Sequence, residues 1–527
     1  MDENTRFNTW IDLIEHQAET RGQKPYILYE DSKITFTEFA QATRKVANWL
    51  MELGARPGDG IAIMMANCPE FLYLFRGVPR IGMYSVPVNV NLKGEGLRFI
   101  LQNSDVRYLA VDDVLYPRLA ELGELPGQLE KVFVRRTTSD PLSPRTTDLD
   151  QWQKASDKRP EHDIDMNAMA YIIYTSGTTG FPKGVVTRHT GLNIQGFMTL
   201  TNLLVKPDDI LYTCLPLFHA NALILTSGWA LCAGVPFVLD KRFSASRFWD
   251  TLRHYGCTQF NAIGAMIPIL MKQPERPDDG DNPVRLVISA ACPANLWEAF
   301  EKRFKVKIWE AYGAVDGPAL IINFGNAPIG SVGKPLGNIE WKLVDDEDRE
   351  VPQEQVGELV VKVPERTDRP VEYYKNPEAS ERKARGGWVH TGDLFYCDKE
   401  GNLYFVDRKE DFIRRRGENI SSFEVESVVE KYPGVAESAA FGVRSELGED
   451  EVMIWVKPKA GVQLDLKDLI RYCAANMAYF MVPRYIDVVD EIPRTETLRA
   501  IKREMKARGV TERTWDREKE MPDLKLR

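Results

Sequence analysis

The segment TSGTTGFPKG, at positions 175–184, combines the chemical groups that hold a polyphosphate. It follows residues 171–174, an apolar run of aromatic and β-branched residues that predicts a buried strand. Glycines let backbone N–H groups approach an anion, hydroxyls add hydrogen-bond donors, and the lysine adds a positive charge. We therefore predict a polyphosphate-binding loop. Its candidate ligands are Thr175, Ser176, Gly177, Thr178, Thr179, Gly180 and Lys183.

This loop is not a Walker A motif, which needs GxxxxGK[ST] at the start of a helix. Pro182 precedes the lysine here, and Val185 and Val186 indicate a second strand after it. A hairpin loop without a ligand is the alternative interpretation, although a simple turn does not need four hydroxyls and a lysine.

Composition narrows the class of protein. A chain of 527 residues is expected to form two or more domains, and 43% hydrophobic with 28% charged residues is typical of a soluble globular protein. The net charge of −9 argues against a general nucleic-acid partner. No two of the seven cysteines have CxxC spacing, so we expect neither a zinc site nor a disulfide framework. The expected location is the reducing cytoplasm.

The amino terminus lacks the basic and then apolar layout of a signal peptide. Residues 210–239 contain no Asp, Glu, Lys or Arg and are numerous enough to span a bilayer. Prolines and glycines interrupt them, which favours a strand, a loop, a buried helix and a second strand. We expect no transmembrane segment.

The elements that must position the loop alternate along the first part of the chain. Strand patterns at 59–67 and 84–89 flank a helical pattern at 69–82. This alternation predicts an α/β fold with mostly parallel sheets covered by helices. Residues 337–363 alternate apolar and polar side chains, which indicates a small antiparallel β unit.

A compact α+β region follows from residue 411. We predict helices at 422–431 and 464–477 and strands at 435–443 and 451–458. The charged segment 510–527 is predicted to be mobile.

Six further motifs accompany the loop. They are LPLFH (215–219), EAYG (310–313), GSVGKP (330–335), GWVHTGD (387–393), FVDRKEDFIRRRGENIS (405–421) and VPRYIDVVDEIPRT (482–495). Together with the loop they resemble the adenylate-forming superfamily, which includes acyl- and aryl-CoA ligases, luciferases and peptide-synthetase adenylation domains. The resemblance covers nearly the whole chain. Among these enzymes, the sequence most resembles medium-chain or carnitine-type CoA ligases.

The resemblance implies a two-step reaction with ATP, Mg²⁺ and coenzyme A. A carboxylate attacks the α-phosphate of ATP, and a thiol then displaces AMP from the acyl-adenylate. It also implies an adenylation domain over residues 1–409, with a β-rich subdomain at 330–409. A lid domain over 410–527 is expected to rotate between the two steps about a hinge at Glu410.

The resemblance assigns roles to further residues. Asp393 is expected to hold the ribose hydroxyls, Arg408 to lie near the ribose or phosphates, and Tyr312 to line the adenine slot. The alternatives are a turn aspartate, a surface ion pair and a core tyrosine. His219 is expected to border the acyl pocket, although a lone histidine in an apolar run is often a core residue. The other expected nucleotide contacts are Ala290, Ala291, Glu310, Ala311, Gly313 and Phe405.

The same resemblance places Gly417 beside the pantetheine tunnel. Arg414, Arg415 and Arg416 are candidates for a clamp on the coenzyme A phosphates. A solvated basic loop is the alternative interpretation.

The sequence departs from the family pattern in two places. The family's YGxTE is YGAVD here, so Val315 replaces a phosphate-contacting threonine and Asp316 replaces a magnesium-binding glutamate. Asp316 and Thr175 are the candidate metal ligands. The family's catalytic lysine is replaced by Arg499, which keeps the charge. Three alternatives are open: Arg499 substitutes directly, Lys502 substitutes, or adenylation is impaired or the activated acyl group has another use.

Three functions are compared. The leading one is an AMP-forming acyl-CoA ligase that acts on a small-molecule carboxylic acid. The rivals are an amide-forming ligase, which would turn over with an amine and no coenzyme A, and a non-catalytic nucleotide-binding protein. A homodimer is a further possibility, because dimers are common in the family.

Overall fold

The computed structural model describes residues 6–175, 182–263, 266–317, 320–337, 339–362, 371–409, 411, 413–415, 418–444, 450–495 and 500–524. Nine residues with predicted roles lie outside these ranges, namely Ser176, Gly177, Thr178, Thr179, Gly180, Glu410, Arg416, Gly417 and Arg499.

The described strands of the larger, amino-terminal part are numbered in chain order. They are β1 (Pro25–Tyr29), β2 (Ser32–Thr35), β3 (Gly60–Met64), β4 (Tyr84–Pro87), β5 (Val106–Asp112), β6 (Lys131–Arg135), β7 (Thr147–Asp148), β8 (Met169–Thr175), β9 (Lys183–Arg188), β10 (Leu211–Thr213), β11 (Phe237–Leu239), β12 (Gln259–Ile263), β13 (Leu286–Ala290), β14 (Lys307–Gly313) and β15 (Leu320–Ile322).

The later strands are β16 (Trp341–Val344), β17 (Gly357–Lys362), β18 (Ala384–Arg385), β19 (Trp388–Cys397), β20 (Leu403–Arg408), β21 (Ile413–Arg415), β22 (Glu418–Ile420), β23 (Val435–Arg444), β24 (Asp450–Pro458), β25 (Tyr485–Val488) and β26 (Trp515–Asp516).

The described α-helices are numbered in the same way. They are α1 (Trp10–Arg21), α2 (Phe36–Glu52), α3 (Pro69–Gly77), α4 (Gly94–Asn103), α5 (Pro117–Ala120), α6 (Ile194–Leu204), α7 (Ser227–Ala233), α8 (Phe248–Tyr255), α9 (Met266–Met271), α10 (Ala294–Phe304), α11 (Pro377–Lys383), α12 (Ser422–Val429), α13 (Leu466–Asn476), α14 (Lys502–Arg508) and α15 (Arg517–Glu520).

Two large sheets form the centre of the amino-terminal part. One has the order β15-β14-β13-β12-β10-β11-β1-β2 and the other β7-β6-β5-β3-β4-β8-β9. Their inner pairs are parallel, and only the outer pairs β14–β15, β1–β2 and β8–β9 are antiparallel among the described strands. Strand β3 is buried at all five positions, as expected for a parallel strand covered on both faces. The predicted helix-covered α/β fold is confirmed.

Local sequence explains where the first helices begin. Thr9 and Thr35 each accept a hydrogen bond from the backbone N–H three residues later, and Asp12 and Glu38 bond back to the cap backbone. Each pair is a capping box, which satisfies otherwise unpaired N–H groups at a helix start. These helices contribute Trp10, Phe39 and neighbouring apolar residues to the core between the large sheets.

The carboxyl-terminal part contains smaller sheets. Strands β16, β17, β19, β18 and β20 form an antiparallel sheet, and β23-β24-β25-β26 form a mixed sheet against α12 and α13. The charge-free run 210–239 contains β10, α7 and β11, as predicted. Within the described residues, no helix is both long and apolar enough to cross a bilayer.

The prediction of a mobile carboxyl-terminal segment is wrong for residues 515–520. Strand β26 pairs with β25, and the buried Arg517 side chain donates a 3.1 Å hydrogen bond to the Val482 carbonyl. The high charge of this segment concealed that one of its arginines reaches backbone acceptors in the interior. The domain boundary at residue 409 stays a prediction.

Candidate active site

The predicted phosphate loop connects two antiparallel strands. β8 pairs with β9 so that Thr175 lies opposite Lys183, and the Thr175 hydroxyl donates to the Lys183 carbonyl over 3.4 Å. The Lys183 ammonium lies 5.4 Å from the ring centre of Tyr373. The hairpin therefore places a hydroxyl and a cation at the two ends of the glycine-rich segment.

Two of the predicted nucleotide-binding residues contact the carboxylate of a third, Asp393. The Tyr312 hydroxyl donates a 2.7 Å hydrogen bond to Oδ2 of Asp393, and Nε of Arg408 lies 3.4 Å from Oδ1. Asp393 is buried, whereas the ring of Phe405 is exposed and lies nearly parallel to Tyr312, with 6.5 Å between ring centres. An acidic acceptor, a cation and two aromatic faces thus lie within one small region.

The backbone around Asp393 is held by residues that sequence reasoning missed. Glu358 on β17 accepts a 3.0 Å hydrogen bond from the Gly392 N–H and a 2.8 Å hydrogen bond from the Lys409 ammonium. Burial opposes ionisation of Glu358, but His390 and Lys409 lower its pKa to about 2. Glu358 therefore links the turn before Asp393 to the residue before the predicted hinge.

The expected nucleotide contacts Ala290 and Ala291 lie at the end of β13, in a segment that is called the adenine wall below. Ala290 ends that strand, and Ala291 has a positive φ of 77°, which turns its backbone N–H toward β14. Glu310 on β14 accepts hydrogen bonds from the N–H groups of Ala291 at 2.5 Å and Cys292 at 3.1 Å. Burial raises the pKa of Glu310 to about 8 despite these two donors.

The remaining residues of the EAYG motif complete this wall. Ala311, Tyr312 and Gly313 pair with β15. Glu310 is thus a positioning residue for the wall. The resemblance alone had assigned Glu310 to the nucleotide site.

The candidate metal carboxylate Asp316 lies in a charged cluster. Its Oδ2 accepts a 2.5 Å hydrogen bond from the Tyr373 hydroxyl and lies 3.0 Å from the Lys383 ammonium. Burial opposes ionisation, but Lys383 and Tyr373 lower the pKa of Asp316. Lys383 also donates a 3.0 Å hydrogen bond to the Thr391 carbonyl, two residues before the ribose candidate. Sequence reasoning missed both Lys383 and Tyr373.

The residues present fit a magnesium ion that is bound mainly by a nucleotide. Mg²⁺ is commonly held by one or two carboxylates together with substrate phosphates and water. Asp316 supplies a carboxylate, and its contacts with Lys383 and Tyr373 both use Oδ2. Thr175 supplies a hydroxyl at the start of the phosphate loop.

His219 lies in a mainly apolar part of the chain. It lies beside Phe218, and burial lowers its pKa to about 4, so the imidazole is neutral at pH 7. Directly after it, Asn221–Thr226 forms a π-helix, an irregularity that is frequent at functional sites. The Asn261 amide donates to the Asn221 side chain over 2.8 Å. The segment after His219 is therefore mainly apolar, with one amide pair beside it.

Lys502 is engaged in an ion pair within the carboxyl-terminal part. Its ammonium lies 2.9 Å from Glu426 and donates to the Ser422 hydroxyl. The Ser422 backbone N–H donates in turn to Asp407 over 2.8 Å. In this conformation Lys502 holds α14 against α12, which disfavours the proposal that it replaces the family's catalytic lysine.

The predicted arginine clamp is wrong for Arg415. This side chain is buried, lies 2.7 Å from Glu451 and donates a 2.8 Å hydrogen bond to the Phe480 carbonyl. Three consecutive arginines indicated a solvated basic loop or a phosphate clamp. Side chains alternate in direction along β21, and that of Arg415, the middle arginine, points into the interior.

The fold and the site define a nucleotide-dependent enzyme of the adenylate-forming class. A family model described as "AMP-binding enzyme" matches residues 14–367, and one described as "AMP-binding enzyme C-terminal domain" matches residues 424–498. The chain belongs to the AMP-binding enzyme family.

Curated relatives and solved structures agree with this assignment. The chain is 31% identical to a crotonobetaine/carnitine–CoA ligase of Salmonella paratyphi B, with 94% of this chain and 98% of that protein covered. It is similar to the o-succinylbenzoate coenzyme A synthetase of Bacillus subtilis in complex with AMP, at 27% identity and a TM-score of 0.78, with 94% and 98% of the chains covered. An anthranilate CoA ligase, AuaEII, shares the fold at 24% identity and a TM-score of 0.82, with 95% and 97% covered.

The reaction class follows from this membership. The enzyme activates a carboxylic acid with ATP to an acyl-adenylate and transfers the acyl group to coenzyme A. The amide-forming and non-catalytic alternatives are not favoured.

Proposed function

We propose that this enzyme is an AMP-forming ligase for an apolar carboxylic acid and that its adenylation centre lies between the β8–β9 hairpin and Asp393. The observation that carries the proposal is that Tyr312 and Arg408 both contact the buried carboxylate of Asp393. Two carboxylate oxygens can accept hydrogen bonds from the vicinal hydroxyls of a ribose.

The charged side chains give each part of the nucleotide a partner. Lys183 neutralises the β- and γ-phosphates at the hairpin, and Arg408 lies where the α-phosphate side of the ribose is expected. Acyl and phosphoryl transfer depend mainly on positioning and charge stabilisation, which fixed cations supply. The aromatic faces of Tyr312 and Phe405 lie beside the same carboxylate and suit a purine base.

Magnesium is proposed to bind at Asp316 and Thr175 together with the nucleotide phosphates. When bound, it neutralises phosphate charge. Lys383 keeps Asp316 ionised and ties it to the strand that carries Asp393. The metal position and the ribose position are thereby linked through one protein side chain.

Arg499 is proposed to act as the cation that bridges the acid and the α-phosphate during adenylation. The support is indirect: Lys502, the competing residue, is engaged with Glu426. Rotation about Glu410 is proposed to alternate the two half-reactions, with Arg416 and Gly417 facing coenzyme A in the second.

The acyl group is proposed to be apolar and uncharged at its far end. His219 is a neutral imidazole, and the residues after it are Ala222, Leu223 and other apolar side chains. The amide pair of Asn221 and Asn261 gives the region one polar contact. Crotonobetaine and carnitine, named for the curated relative, carry a quaternary ammonium and serve as comparison acids.

The test is a pooled-substrate reaction. The enzyme is incubated with ATP, Mg²⁺, coenzyme A and a panel of apolar, aromatic, dicarboxylic and quaternary-ammonium acids, and the products are identified by mass spectrometry. An acyl-CoA of an apolar acid supports the proposal. A thioester formed only with quaternary-ammonium acids would contradict the acyl-group assignment, and an amide formed from an added amine without coenzyme A would contradict the reaction.

Two further proposals concern the state of the protein. We propose a cytoplasmic location and a homodimer, on the reducing-compartment and family arguments given for the sequence. Fractionation of the source cells and light scattering of the purified chain test them separately.

A further inference from the structure

A cavity away from the candidate active site contains a buried arginine. Residues of α1, α3, β8 and the turn after β9 line it, namely Trp10, Phe75, Arg76, Pro79, Ala170, Tyr171, His189 and Leu192. It lies beside Tyr171 and His189, at the opposite end of the β8–β9 hairpin from Thr175 and Lys183. It has room for a group about the size of a water molecule or a halide ion.

Arg76 carries a charge that the described residues do not neutralise. Its side chain is almost completely buried, and its Nε and Nη2 have no hydrogen-bond partner among the described residues. No carboxylate oxygen of the described residues lies within 4.0 Å of it. The guanidinium is 4.3 Å from the Trp10 ring centre and 5.1 Å from that of Phe75. Such ring contacts compensate only part of the cost of burying a cation.

The neighbouring groups are donors or neutral. Both ring nitrogens of His189 are buried without a hydrogen-bond partner in the described chain, and so is Nε1 of Trp10. Burial lowers the pKa of His189 and raises the pKa of Tyr171, so at pH 7 neither side chain supplies a negative charge. A cavity lined by an unpaired guanidinium and further N–H groups favours a negatively charged guest over water, because water cannot neutralise the charge.

We infer that this cavity is a binding site for a small monovalent anion of halide size, held by Arg76. Binding occurs in the folded chain only, because the unfolded chain does not assemble the cavity. Anion binding is therefore expected to stabilise the fold in a saturable manner.

The experiment is thermal unfolding of the full chain at constant ionic strength while gluconate is replaced by chloride. The melting temperature of the parent is expected to rise by several degrees and then to level off. Arg76→Met keeps the side-chain length and removes the charge, so its melting temperature is expected to be independent of chloride and no lower than that of the parent without chloride. Arg98→Met is the control: Arg98 lies on α4 and donates to the Glu124 and Leu122 carbonyls, and this variant is expected to keep the parent's response.

In the comparison of the parent with Arg76→Met, two results would overturn the inference. One is a parent curve that does not respond to chloride, and the other is an equal response in the parent and Arg76→Met. Asp2 and Glu3, two acidic residues near the amino terminus, lie outside the described residues. A variant that combines Asp2→Asn with Glu3→Gln is therefore included. A chloride response that appears only in that variant means that the chain supplies its own anion, and the inference fails. Anomalous diffraction from crystals soaked in bromide does not depend on variant folding: a peak beside the Arg76 guanidinium supports the site, and its absence refutes it.

Discussion

Glu310→Gln tests whether the buried carboxyl behind the adenine wall is protonated. The side chain accepts hydrogen bonds from the Ala291 and Cys292 N–H groups, and burial raises its pKa to about 8 from 4.5. Glutamine has nearly the same shape, keeps an oxygen that can accept both hydrogen bonds, and cannot ionise. The variant therefore removes the titration while it keeps the wall in place.

The sign of the effect follows from proton binding. Between pH 4.5 and 8 the carboxyl of Glu310 binds a proton in the folded chain and loses it in the unfolded chain. Stability of the parent therefore falls as pH rises through this window, and it falls no further above the folded pKa. At about 1.4 kcal/mol per pKa unit, the total is at most about 5 kcal/mol.

The assay is denaturant unfolding of the parent and Glu310→Gln at intervals from pH 5 to 8.5. The stability of the variant relative to the parent is expected to increase with pH and to reach several kcal/mol at pH 8. Glu298→Gln, the same change at an exposed residue of α10, is the control for the substitution itself. A second measurement is the infrared difference spectrum at pH 6, in which the parent is expected to show a protonated carboxyl band that the variant lacks. Equal pH dependence in parent and variant, together with no such band, would refute the reasoning.

Four further substitutions test the charged groups of the site. Lys383→Met leaves Asp316 without its ion-pair partner, so it is expected to cost about 3 kcal/mol of stability and to raise the KM for ATP. Lys383→Arg is the control that preserves the charge. An unchanged KM in Lys383→Met would contradict the link between the metal position and the ribose position. Arg499→Ala is expected to lower ATP–pyrophosphate exchange by about 10²-fold or more and to leave transfer from a synthetic acyl-adenylate to coenzyme A intact. Lys502→Met is expected to lower the stability of the fold and to leave ATP–pyrophosphate exchange by the folded protein unchanged. Loss of exchange in the folded protein would restore Lys502 as the catalytic cation. Asp393→Asn is expected to weaken ATP binding by about 10- to 100-fold, measured by calorimetry, because charge-assisted hydrogen bonds to the ribose are lost; unchanged binding would remove Asp393 from the nucleotide site.

Local pattern was sufficient for the sheets and for part of the site. Strand β3 is short, apolar and followed by Pro69 at the start of α3, and both boundaries agree with the prediction to within a few residues. The hairpin around Thr175 and Lys183 was predictable because a strand, a glycine-rich turn and a second strand are contiguous in sequence. Asp393 and Arg408 were found through motifs, and the structure brings them together.

The missed residues share one property: each acts through a partner that is distant in sequence. Lys383 lies at the end of α11, in a segment that reads as an ordinary exposed helix, and its partner Asp316 is on another element. Glu358 is a single acidic residue on β17, and only the register of β17 against β19 places it beneath Gly392. Sequence spacing carries no information about such contacts, because they depend on the register of strands within a sheet and on how a helix packs against a distant loop.

The two departures from the family pattern have different physical consequences. At Asp316 the shorter carboxylate is compensated within the fold, because Lys383 and Tyr373 fix its position and keep it ionised. For the missing lysine, Arg499 is the proposed replacement, because the nearest lysine along the chain, Lys502, already neutralises Glu426. Charge neutralisation at the phosphates is therefore proposed to rely on the protein cations Lys183 and Arg499 as well as on a metal ion.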